Sequence, residues 1–306
     1  KGTLTLMSRE RPLTDFNSHV QYQSSNSSLA RANPVMLARG KGKSSLDRMK
    51  KRSQYIAVSN YQQANRRDRR LAYFLMSQLH SILITGASSG IGEALAFHYA
   101  NDGVSLFLSG RDTERLADVA DGCRSMGARV YASAVDVTDR KAMLDWITAS
   151  DSRAALDLIV ANAGISGGTS GSVEKASQSR RIFAVNLDGV LNTVLPGLEV
   201  MGIRGIGQIV IISSLAGFLP MPGAPAYSAS KAAVRYFGEA LRPSAGRLGV
   251  GISVVCPGFV HSRMTAANPF FMPFIMKTER AAEIIARGIK RDRARIAFPL
   301  PMYAAV

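Results

Sequence analysis

The feature that most restricts the fold of this chain is a short strand that runs directly into a glycine-rich turn. Residues 81–85 (SILIT) are mostly apolar, and residues 86–92 (GASSGIG) follow without a break. The next residues place apolar side chains on one helix face, at Ile91, Leu95, Ala96 and Tyr99. A strand, a turn with three glycines and a helix in this order are typical of a dinucleotide-binding site.

Each glycine of the turn has a defined use if a dinucleotide binds there. Gly86 permits a tight turn, Gly90 lets the backbone approach a pyrophosphate, and Gly92 lets the helix pack close to the sheet. Free N–H groups at the helix start then face the phosphates. A purely structural turn is the alternative. The predicted cofactor-binding residues of the turn are Gly86, Ser88, Ser89, Gly90, Ile91 and Gly92.

The end of the second predicted strand bears on the choice between NAD and NADP. An acidic residue there would bind the ribose 2′-hydroxyl of NAD. This chain has Ser109 and Gly110 at that place, followed by Arg111, whose guanidinium suits a 2′-phosphate. Asp112 is expected to cap the next helix and to point elsewhere. The sequence therefore favours NADP over NAD, with a solvated surface charge as the alternative interpretation of Arg111.

Strands and helices alternate along the rest of the chain. Further apolar strands are predicted at 104–108, 130–134, 156–161, 208–213, 251–256 and 296–298. Helical patterns are predicted at 91–101, 112–126, 139–149, 173–196, 226–243 and 278–290. This alternation indicates an α/β fold with a single doubly wound parallel sheet, the Rossmann fold, covered on both faces. We expect one such domain over residues 76–306, with its ligand beyond the carboxyl ends of the strands.

A tyrosine and a lysine stand four residues apart in the predicted helix 226–243. Tyr227 and Lys231 therefore share one helix face, where the ammonium is expected to lower the pKa of the phenol. Such a pair can act as a general acid or base near neutral pH. A Tyr–Lys pair alone is common on helices. Ser214, at the end of an apolar strand thirteen residues before Tyr227, adds a hydroxyl that can hold a substrate oxygen.

Together these motifs resemble the short-chain dehydrogenase/reductase family over about residues 79–300. The matching segments are 85–92 (TGASSGIG), 161–164 (ANAG), Ser214, Tyr227 with Lys231, and 257–258 (PG). The resemblance implies a nicotinamide cofactor and hydride transfer between a carbonyl and an alcohol. It also implies a homodimer or homotetramer. The catalytic set that it implies is Ser214, Tyr227, Lys231 and Asn186, with Asn186 holding Lys231 through a water.

The resemblance assigns further residues to the cofactor. Tyr227 and Lys231 would also contact it, with Lys231 on the nicotinamide ribose, while Asn162 would brace the central strand. Ala161 replaces the commoner Asn of this motif. The remaining residues implied to bind the cofactor are Asp136, Val137, Asn162, Ala163, Gly164, Pro257, Gly258, Val260 and Ser262.

The chain departs from the family pattern in two places. Residues 243–246 (PSAG) are expected to disturb the end of the helix that carries the Tyr–Lys pair. The C-terminal residues 295–306 form an apolar tail in place of the family's common ending. Residues 268–276 (NPFFMPFIM) are interpreted as a mobile apolar lid, with an ordinary buried loop as the alternative. Members of the family with such a tail often act on lipophilic substrates and some associate with membranes, so the resemblance implies a lipophilic substrate and peripheral membrane association through the tail.

Positive charge is concentrated at the start of the chain. The whole sequence of 306 residues carries a formal net charge of +16, of which residues 1–75 contribute +11. This segment is basic, polar and without long apolar periodicity, so we expect it to be disordered. It is read as a transit segment, as a nucleic-acid or membrane-surface tail, or as foreign to the functional protein, with Met76 as a fitting natural start.

Other classes of protein are excluded or kept as rivals. Two cysteines cannot form a disulfide framework and lack metal-ligand spacing, so we expect a reducing, cytoplasmic setting without a metal site. No uncharged apolar run reaches 18 residues, which argues against a spanning helix. The favoured function is an NADP-dependent oxidoreductase. The rivals are a 3-oxoacyl thioester reductase, a non-catalytic dinucleotide-binding regulator, and a nucleic-acid contact through residues 1–75, of which the last is not expected.

Overall fold

The computed structural model describes residues 79–169, 172–266 and 270–306. All of these residues belong to one compact unit. The expectations about residues 1–75, including their disorder and the natural start at Met76, lie outside the described residues.

Seven parallel strands form one sheet in the described part of the chain. Their order is β3-β2-β1-β4-β5-β6-β7, so the chain winds outward from β1 in one direction and from β4 in the other. The strands are β1 Ser81–Thr85, β2 Ser105–Ser109, β3 Arg129–Ser133, β4 Leu158–Ala161, β5 Gly207–Ile212, β6 Val250–Pro257 and β7 Arg295–Phe298. The predicted doubly wound parallel sheet is therefore confirmed, and each strand lies within two residues of its predicted position.

Helices connect the strands and cover the sheet. The bounds are α1 Gly90–Tyr99, α2 Thr113–Ser125, α3 Arg140–Arg153, α4 Ala176–Phe183, α5 Gly189–Arg204, α6 Pro225–Arg247, α7 Arg263–Ala266, α8 Thr278–Lys290 and α9 Leu300–Ala304. Asp112 caps α2 as predicted, because its carboxylate accepts a hydrogen bond from the backbone N–H of Arg115. No helix within the described residues is both long and apolar enough to cross a membrane.

Successive side chains of each strand point to opposite faces of the sheet, and each face is covered by its own layer of helices. Ile82 and Ile84 of β1 pack into one apolar cluster with α1, α2 and α8, while Leu83 between them packs into a second cluster with α3, α5 and α6. Successive strand residues point to opposite faces of a sheet. Because all five β1 residues are buried, the strand must be apolar on both faces, as the continuous run at residues 81–85 predicts.

Two helix predictions need correction. The predicted helix 173–196 consists of α4, a π-helical turn at Ala184–Asp188, and α5, which continues to Arg204. Residues 243–246 do not disturb α6, which runs through Pro243 to Arg247. Ala245 is fully buried in the second cluster, and Arg242 pairs with Asp292 at 2.8 Å, so tertiary contacts hold this helix end in place. Packing commonly overrides local helix propensity in this way.

The topology fixes where a ligand can bind. β1 and β4 are neighbours whose following crossovers lead to opposite sides of the sheet. A crevice forms outside the carboxyl ends of the strands at such a reversal. The glycine turn follows β1 and residues 162–164 follow β4, so both predicted motifs lie at this point.

Candidate active site

The three glycines of the turn stand at positions that do not favour a side chain. Gly86 and Gly90 have φ values of +65° and +62°, in the left-handed region that favours glycine. A Cβ atom on Gly92 would lie 2.4 Å from the carbonyl oxygen of Gly86 and 2.5 Å from Nδ2 of Asn162. Gly86 and Gly90 are therefore required by the backbone conformation and Gly92 by close packing, and α1 begins close against β1.

A cleft of about 370 Å³ opens at the start of α1. Its walls include Ser88, Ser89 and Gly90 of the turn, together with Ser262 from the segment after β6. The side chain of Ser89 makes no capping hydrogen bond to the first turn of α1. This helix N-terminus is an electropositive position of the kind that binds phosphate groups.

Sequence reasoning missed two arginines at this cleft. Arg115 of α2 and Arg263 of α7 both line it. Arg115 forms an ion pair with Asp112 at 2.6 Å, and Arg263 follows Ser262 directly. A single sequence offers no signal for either one, because Arg115 resembles an ordinary helix-surface charge and the segment after β6 has no regular pattern.

The segment after β4 is joined to the segment after β1. The Nδ2 group of Asn162 donates to the backbone carbonyls of Thr85 and Gly86, at 2.9 and 3.0 Å. The Thr85 hydroxyl accepts from the backbone N–H groups of Asn162 and Ala163, at 3.0 and 3.1 Å. The carboxyl ends of the two central strands are thus fixed relative to each other, which is the geometry expected of a bracing asparagine.

Arg111 is exposed at the end of β2, and no other described residue pairs with it. Gly110 before it packs against Ser88: a Cβ atom there would lie 3.0 Å from both Cβ and Oγ of Ser88. An acidic side chain at position 110 would therefore require Ser88 to move. Near the cleft, the Oγ atom of Ser109 is buried and has no hydrogen-bond partner among the described residues.

Asp136 and Val137 follow β3 and have different surroundings. The Asp136 carboxylate accepts from the backbone N–H and the hydroxyl of Thr138, at 2.9 and 2.8 Å. The backbone hydrogen bond lowers the pKa of Asp136, and Arg111 adds to the effect. Val137 is buried where its side chain meets Gly189 of α5. Arg111 and Asp136 therefore lie close enough to interact at the same edge of the site.

Close packing connects the glycine turn to the Tyr–Lys pair. A Cβ atom on Gly86 would lie 2.8 Å from Cα of Ala163. A Cβ atom on the next residue, Gly164, would lie 3.3 Å from both Nζ of Lys231 and Oδ1 of Asn186. Residues 163–164 thus run from the predicted cofactor turn to the predicted catalytic residues, and the structure brings these two sets into one site.

Asn186 lies in the π-helical turn and is fully buried. Its Oδ1 atom accepts from the backbone N–H of Ile165 at 2.8 Å, and its Nδ2 group donates to Ile165 O and to Oγ of Ser230. The Ser230 hydroxyl in turn donates to the backbone carbonyl of Tyr227 at 2.7 Å. Asn186 therefore bonds to Ser230, which lies on the same helix as Tyr227.

Ser214 and Tyr227 face each other. Ser214 follows β5, and its hydroxyl accepts from the backbone N–H of Ala216 and donates to Pro257 O. Tyr227 lies in the first turn of α6. Burial raises the pKa of the Tyr227 phenol, and a side-chain hydrogen bond with Ser214 acts in the opposite direction. The phenol is therefore protonated at neutral pH.

Lys231 is 4% exposed, and its Nζ atom donates to the backbone carbonyl of Ile212 at 3.0 Å. It lies 5.8 Å from the centre of the Tyr227 ring. Burial lowers the pKa of Lys231 to about 8. The expected lowering of the Tyr227 pKa is wrong for this structure, because burial of the phenol raises its pKa.

Apolar side chains pack together beside the segments that follow β5 and β6. Phe218 packs edge-on against Tyr303 of α9, and Phe259 packs edge-on against Phe270. Met302 and Pro299 lie against Gly258. Within the described part of the predicted lid, Phe271 and Phe274 are 88% and 61% exposed, so an ordinary buried loop does not describe them. Residues 267–269 lie outside the described residues.

The buried lysine predicts how stability depends on pH. Its pKa is about 8 in the folded protein and 10.5 ordinarily, so between these values the unfolded chain holds the extra proton and stability rises with pH. Lys231→Met should therefore be more stable than the wild type at pH 7, by up to about 3 kcal/mol. That advantage should shrink as pH rises from 8 to 10.

Urea unfolding of both proteins across this pH range provides the measurement. The thiols of Cys123 and Cys256 have raised pKa values and act in the opposite sense above pH 9. Both proteins share these thiols, so the difference reports on Lys231 together with its interaction with Cys256. A difference in unfolding free energy that stays constant from pH 7 to 10 would contradict the lowered pKa.

Comparison with known proteins decides the family. The family model described as short chain dehydrogenase matches residues 80–269. An oxidoreductase of Myxococcus xanthus is 42% identical over 218 residues, which cover 71% of this chain and 86% of that protein. The chain belongs to the short-chain dehydrogenase family. It is an NAD(P)-dependent oxidoreductase, as the sequence motifs predicted.

Solved structures of other short-chain dehydrogenases agree with this fold. One from Sphingobium yanoikuyae, in complex with NADPH, is 28% identical with a TM-score of 0.66 and covers 72% of this chain and 89% of its own. One from Burkholderia phymatum, in complex with NAD, is 26% identical with a TM-score of 0.69. The match covers 74% of this chain and 92% of that protein. The family therefore includes proteins that bind either dinucleotide.

The residues present fit a nicotinamide dinucleotide. The glycine turn leaves the start of α1 open at the cleft, and the unpaired hydroxyl of Ser109 lies at the neighbouring strand end. Gly164 lies against Lys231 without a side chain between them, since a Cβ atom there would lie 3.3 Å from Nζ. These positions can receive the phosphates at one end of the site and the nicotinamide ribose at the other.

Proposed function

We propose that this dehydrogenase is an NADP-dependent reductase of lipophilic carbonyl compounds, with Ser214, Tyr227, Lys231 and Asn186 as its catalytic set. The observation that carries the proposal is the close contact of Gly164 with Lys231 and Asn186. This glycine places the buried Lys231, and with it Tyr227 and Ser214, next to the segment that closes the glycine turn. A site that only bound a dinucleotide would not require these three side chains.

Tyr227 acts as the general acid in this proposal. When a carbonyl carbon gains a hydride, its oxygen gains negative charge and takes a proton from the Tyr227 hydroxyl. A bound nicotinamide would supply that hydride. A phenol that is protonated at neutral pH, as the raised pKa of Tyr227 implies, suits proton donation. The hydroxyls of Ser214 and Tyr227 hold the substrate oxygen while the charge develops.

Lys231 and Asn186 support the proton donor. After donation, the phenolate of Tyr227 is stabilised by the ammonium of Lys231, whose Nζ lies 5.8 Å from the ring centre. With a pKa of about 8, Lys231 is mostly charged at pH 7 and can also exchange a proton in this range. Asn186 bonds to Ser230 of α6, and Ser230 bonds to the backbone carbonyl of Tyr227. These bonds fix the position of the helix that carries Tyr227 and Lys231.

Arg111 supports the preference for NADP. Its side chain is exposed at the end of β2. Gly110 before it has no room for a carboxylate unless Ser88 moves. The ribose 2′-hydroxyl of NAD therefore lacks its usual acidic partner, whereas a 2′-phosphate would meet an unpaired guanidinium. Asp136 lies near Arg111, and its negative charge partly offsets the positive potential at this place.

Arg111→Ala should weaken NADPH binding by about tenfold and leave NADH binding nearly unchanged. Hydrogen bonds to charged groups contribute about 1.5–3 kcal/mol, and each 1.4 kcal/mol corresponds to tenfold in affinity. Titration of both cofactors by nucleotide fluorescence measures the effect. Arg129→Ala, at an exposed position on β3, is the matched control. Equal losses for NADPH and NADH would place Arg111 in general support of the fold.

Apolar side chains close to Ser214 and after β6 support a lipophilic substrate. Phe218 and the α9 residues Met302 and Tyr303 pack with Leu215, which follows Ser214 directly, and Phe259 packs against Phe270 after β6. Burying an apolar group against such a wall is favourable by about 25 cal/mol per Å². Leu300 at the start of α9 is 73% exposed, and this C-terminal tail is a candidate for peripheral contact with a membrane.

Two other functions remain as alternatives. A 3-oxoacyl thioester reductase would use the same catalytic set on a longer substrate. A non-catalytic dinucleotide-binding regulator would keep only the cofactor half of the site. A screen of ketones, aldehydes and 3-oxoacyl thioesters, followed by NADPH absorbance at 340 nm, distinguishes them. Turnover of bulky ketones supports the proposal, turnover of thioesters alone favours the first alternative, and binding without turnover favours the second.

We also propose that residues 76–306 form one catalytic domain that assembles into a homodimer or homotetramer in the cytoplasm. Leu195 and Ile203 of α5 are each 50% exposed, which supports assembly through that helix. Cys123 and Cys256 are both buried free thiols, in keeping with a reducing compartment.

A further inference from the structure

The helix that carries Tyr227 begins without a cap of its own. The residue before α6, Ala224, has no side chain that can accept from the first backbone N–H groups. Pro225 has no N–H, so Ala226 provides the first free amide of the helix. Helix starts leave such donors unpaired unless a side chain or another group accepts from them.

Glu174 accepts this hydrogen bond from a distant part of the chain. Its Oε2 atom receives the backbone N–H of Ala226 at 3.1 Å, across 52 residues of sequence. Oε2 also accepts from the hydroxyl of Ser179 at 2.8 Å, and Oε1 accepts from Nε2 of Gln178 at 3.1 Å. The carboxylate is thus held by α4 on one side and caps α6 on the other.

A second contact connects the same two segments. The backbone N–H of Thr169 donates to the carbonyl of Gly223 at 2.9 Å, and Gln178 donates to Gly168 O at 3.1 Å. The segment that follows β4 is therefore docked on the residues that lead into α6. Glu174 is the charged group of this junction, and a carboxylate at a helix N-terminus is further favoured by the helix dipole.

We propose that Glu174 is a positioning residue for Tyr227, an inference that rests on the proposed function. Tyr227 is the residue after Ala226, so the bond from Glu174 fixes the backbone directly before the phenol. A loose helix start would move the Tyr227 hydroxyl away from Ser214. Misplacement by about 1 Å can reduce a rate by about 10²-fold. The cofactor residues of the glycine turn are not involved in this junction.

Replacement of Glu174 tests the inference. Glu174→Ala should lower kcat about tenfold, raise KM little, and leave the dissociation constant for NADPH within twofold. Glu174→Gln should recover most of kcat, because its amide oxygen can still accept from Ala226. The matched control is Glu199→Ala, which removes an exposed carboxylate from α5. Amide hydrogen exchange of residues 224–228 should become faster in Glu174→Ala only.

The outcomes separate this inference from the proposed function. If neither the wild type nor any variant reduces a carbonyl compound, the proposed function fails. Faster amide exchange at residues 224–228 in Glu174→Ala would still support the cap. Unchanged exchange together with unchanged kcat in Glu174→Ala overturns the inference. If Glu174→Ala does not fold, Ser179→Ala replaces it, since this variant removes one support of the carboxylate and should show a smaller change of the same kind. No change in either readout of Ser179→Ala would then overturn the inference.

Discussion

Tyr227→Phe should lower kcat by about 10²–10⁴-fold, the usual contribution of a general acid or base. The change removes only the hydroxyl that would give its proton to the substrate oxygen. The ring stays in place on α6, and Lys231 keeps its hydrogen bond to Ile212 O. NADPH affinity should therefore change by less than about threefold, because the glycine turn and Arg111 are untouched.

Stopped-flow reduction of the best ketone from the screen gives kcat, and nucleotide fluorescence gives the affinity. Tyr236→Phe is the matched control, since it removes a phenol from the same helix at a position that is 66% exposed. Retention of more than a tenth of the wild-type kcat by Tyr227→Phe would rule out the proton-donor role. A similar loss in Tyr236→Phe would point to a general effect on α6.

Gly92→Ala should weaken NADPH binding by about 100-fold or more. The new methyl group would lie 2.4 Å from Gly86 O and 2.5 Å from Nδ2 of Asn162. Both are held by the hydrogen bonds that join the ends of β1 and β4, so α1 must shift outward and open the turn. Overpacking of this kind also costs about 1–3 kcal/mol of stability.

NADPH titration and urea unfolding measure the two effects. Gly246→Ala is the control, because a Cβ atom at Gly246 meets nothing within 4 Å among the described residues and its helical backbone accepts alanine. That variant should bind NADPH normally and be as stable as the wild type or slightly more stable. NADPH affinity within threefold of wild type in Gly92→Ala would show that the turn tolerates a side chain, and would contradict its role at the cofactor.

Several features of this protein follow from local sequence alone. The apolar run at residues 81–85 can be buried on both faces only in a parallel sheet between helix layers. Gly86 and Gly90 stand where the backbone turns into the left-handed region, so the glycine pattern shows the turn itself. Asp112 caps α2 as its residue type and position predict. Each of these depends on neighbours within a few residues.

Helix ends and breaks were less predictable, because distant contacts decide them. Pro243 would be expected to end α6, yet the buried Ala245 and the pairing of Arg242 with Asp292 carry the helix to Arg247. The π-helical turn at Ala184–Asp188 interrupts a pattern that is helical throughout in the sequence. Asn186 in that turn bonds to Ile165 and Ser230, which are distant in sequence.

The sequence by itself determined the fold class and the glycine turn, and it predicted the Ser214, Tyr227, Lys231 and Asn186 set, but not Arg115 and Arg263 at the cleft. Only the tertiary structure decided how these residues ionise and what holds them. The pKa values of Tyr227 and Lys231 depend on burial, which the i, i+4 spacing does not reveal. The cap of α6 comes from Glu174, 52 residues away, because folding brings the start of α4 to the start of α6 and no local residue could accept that hydrogen bond.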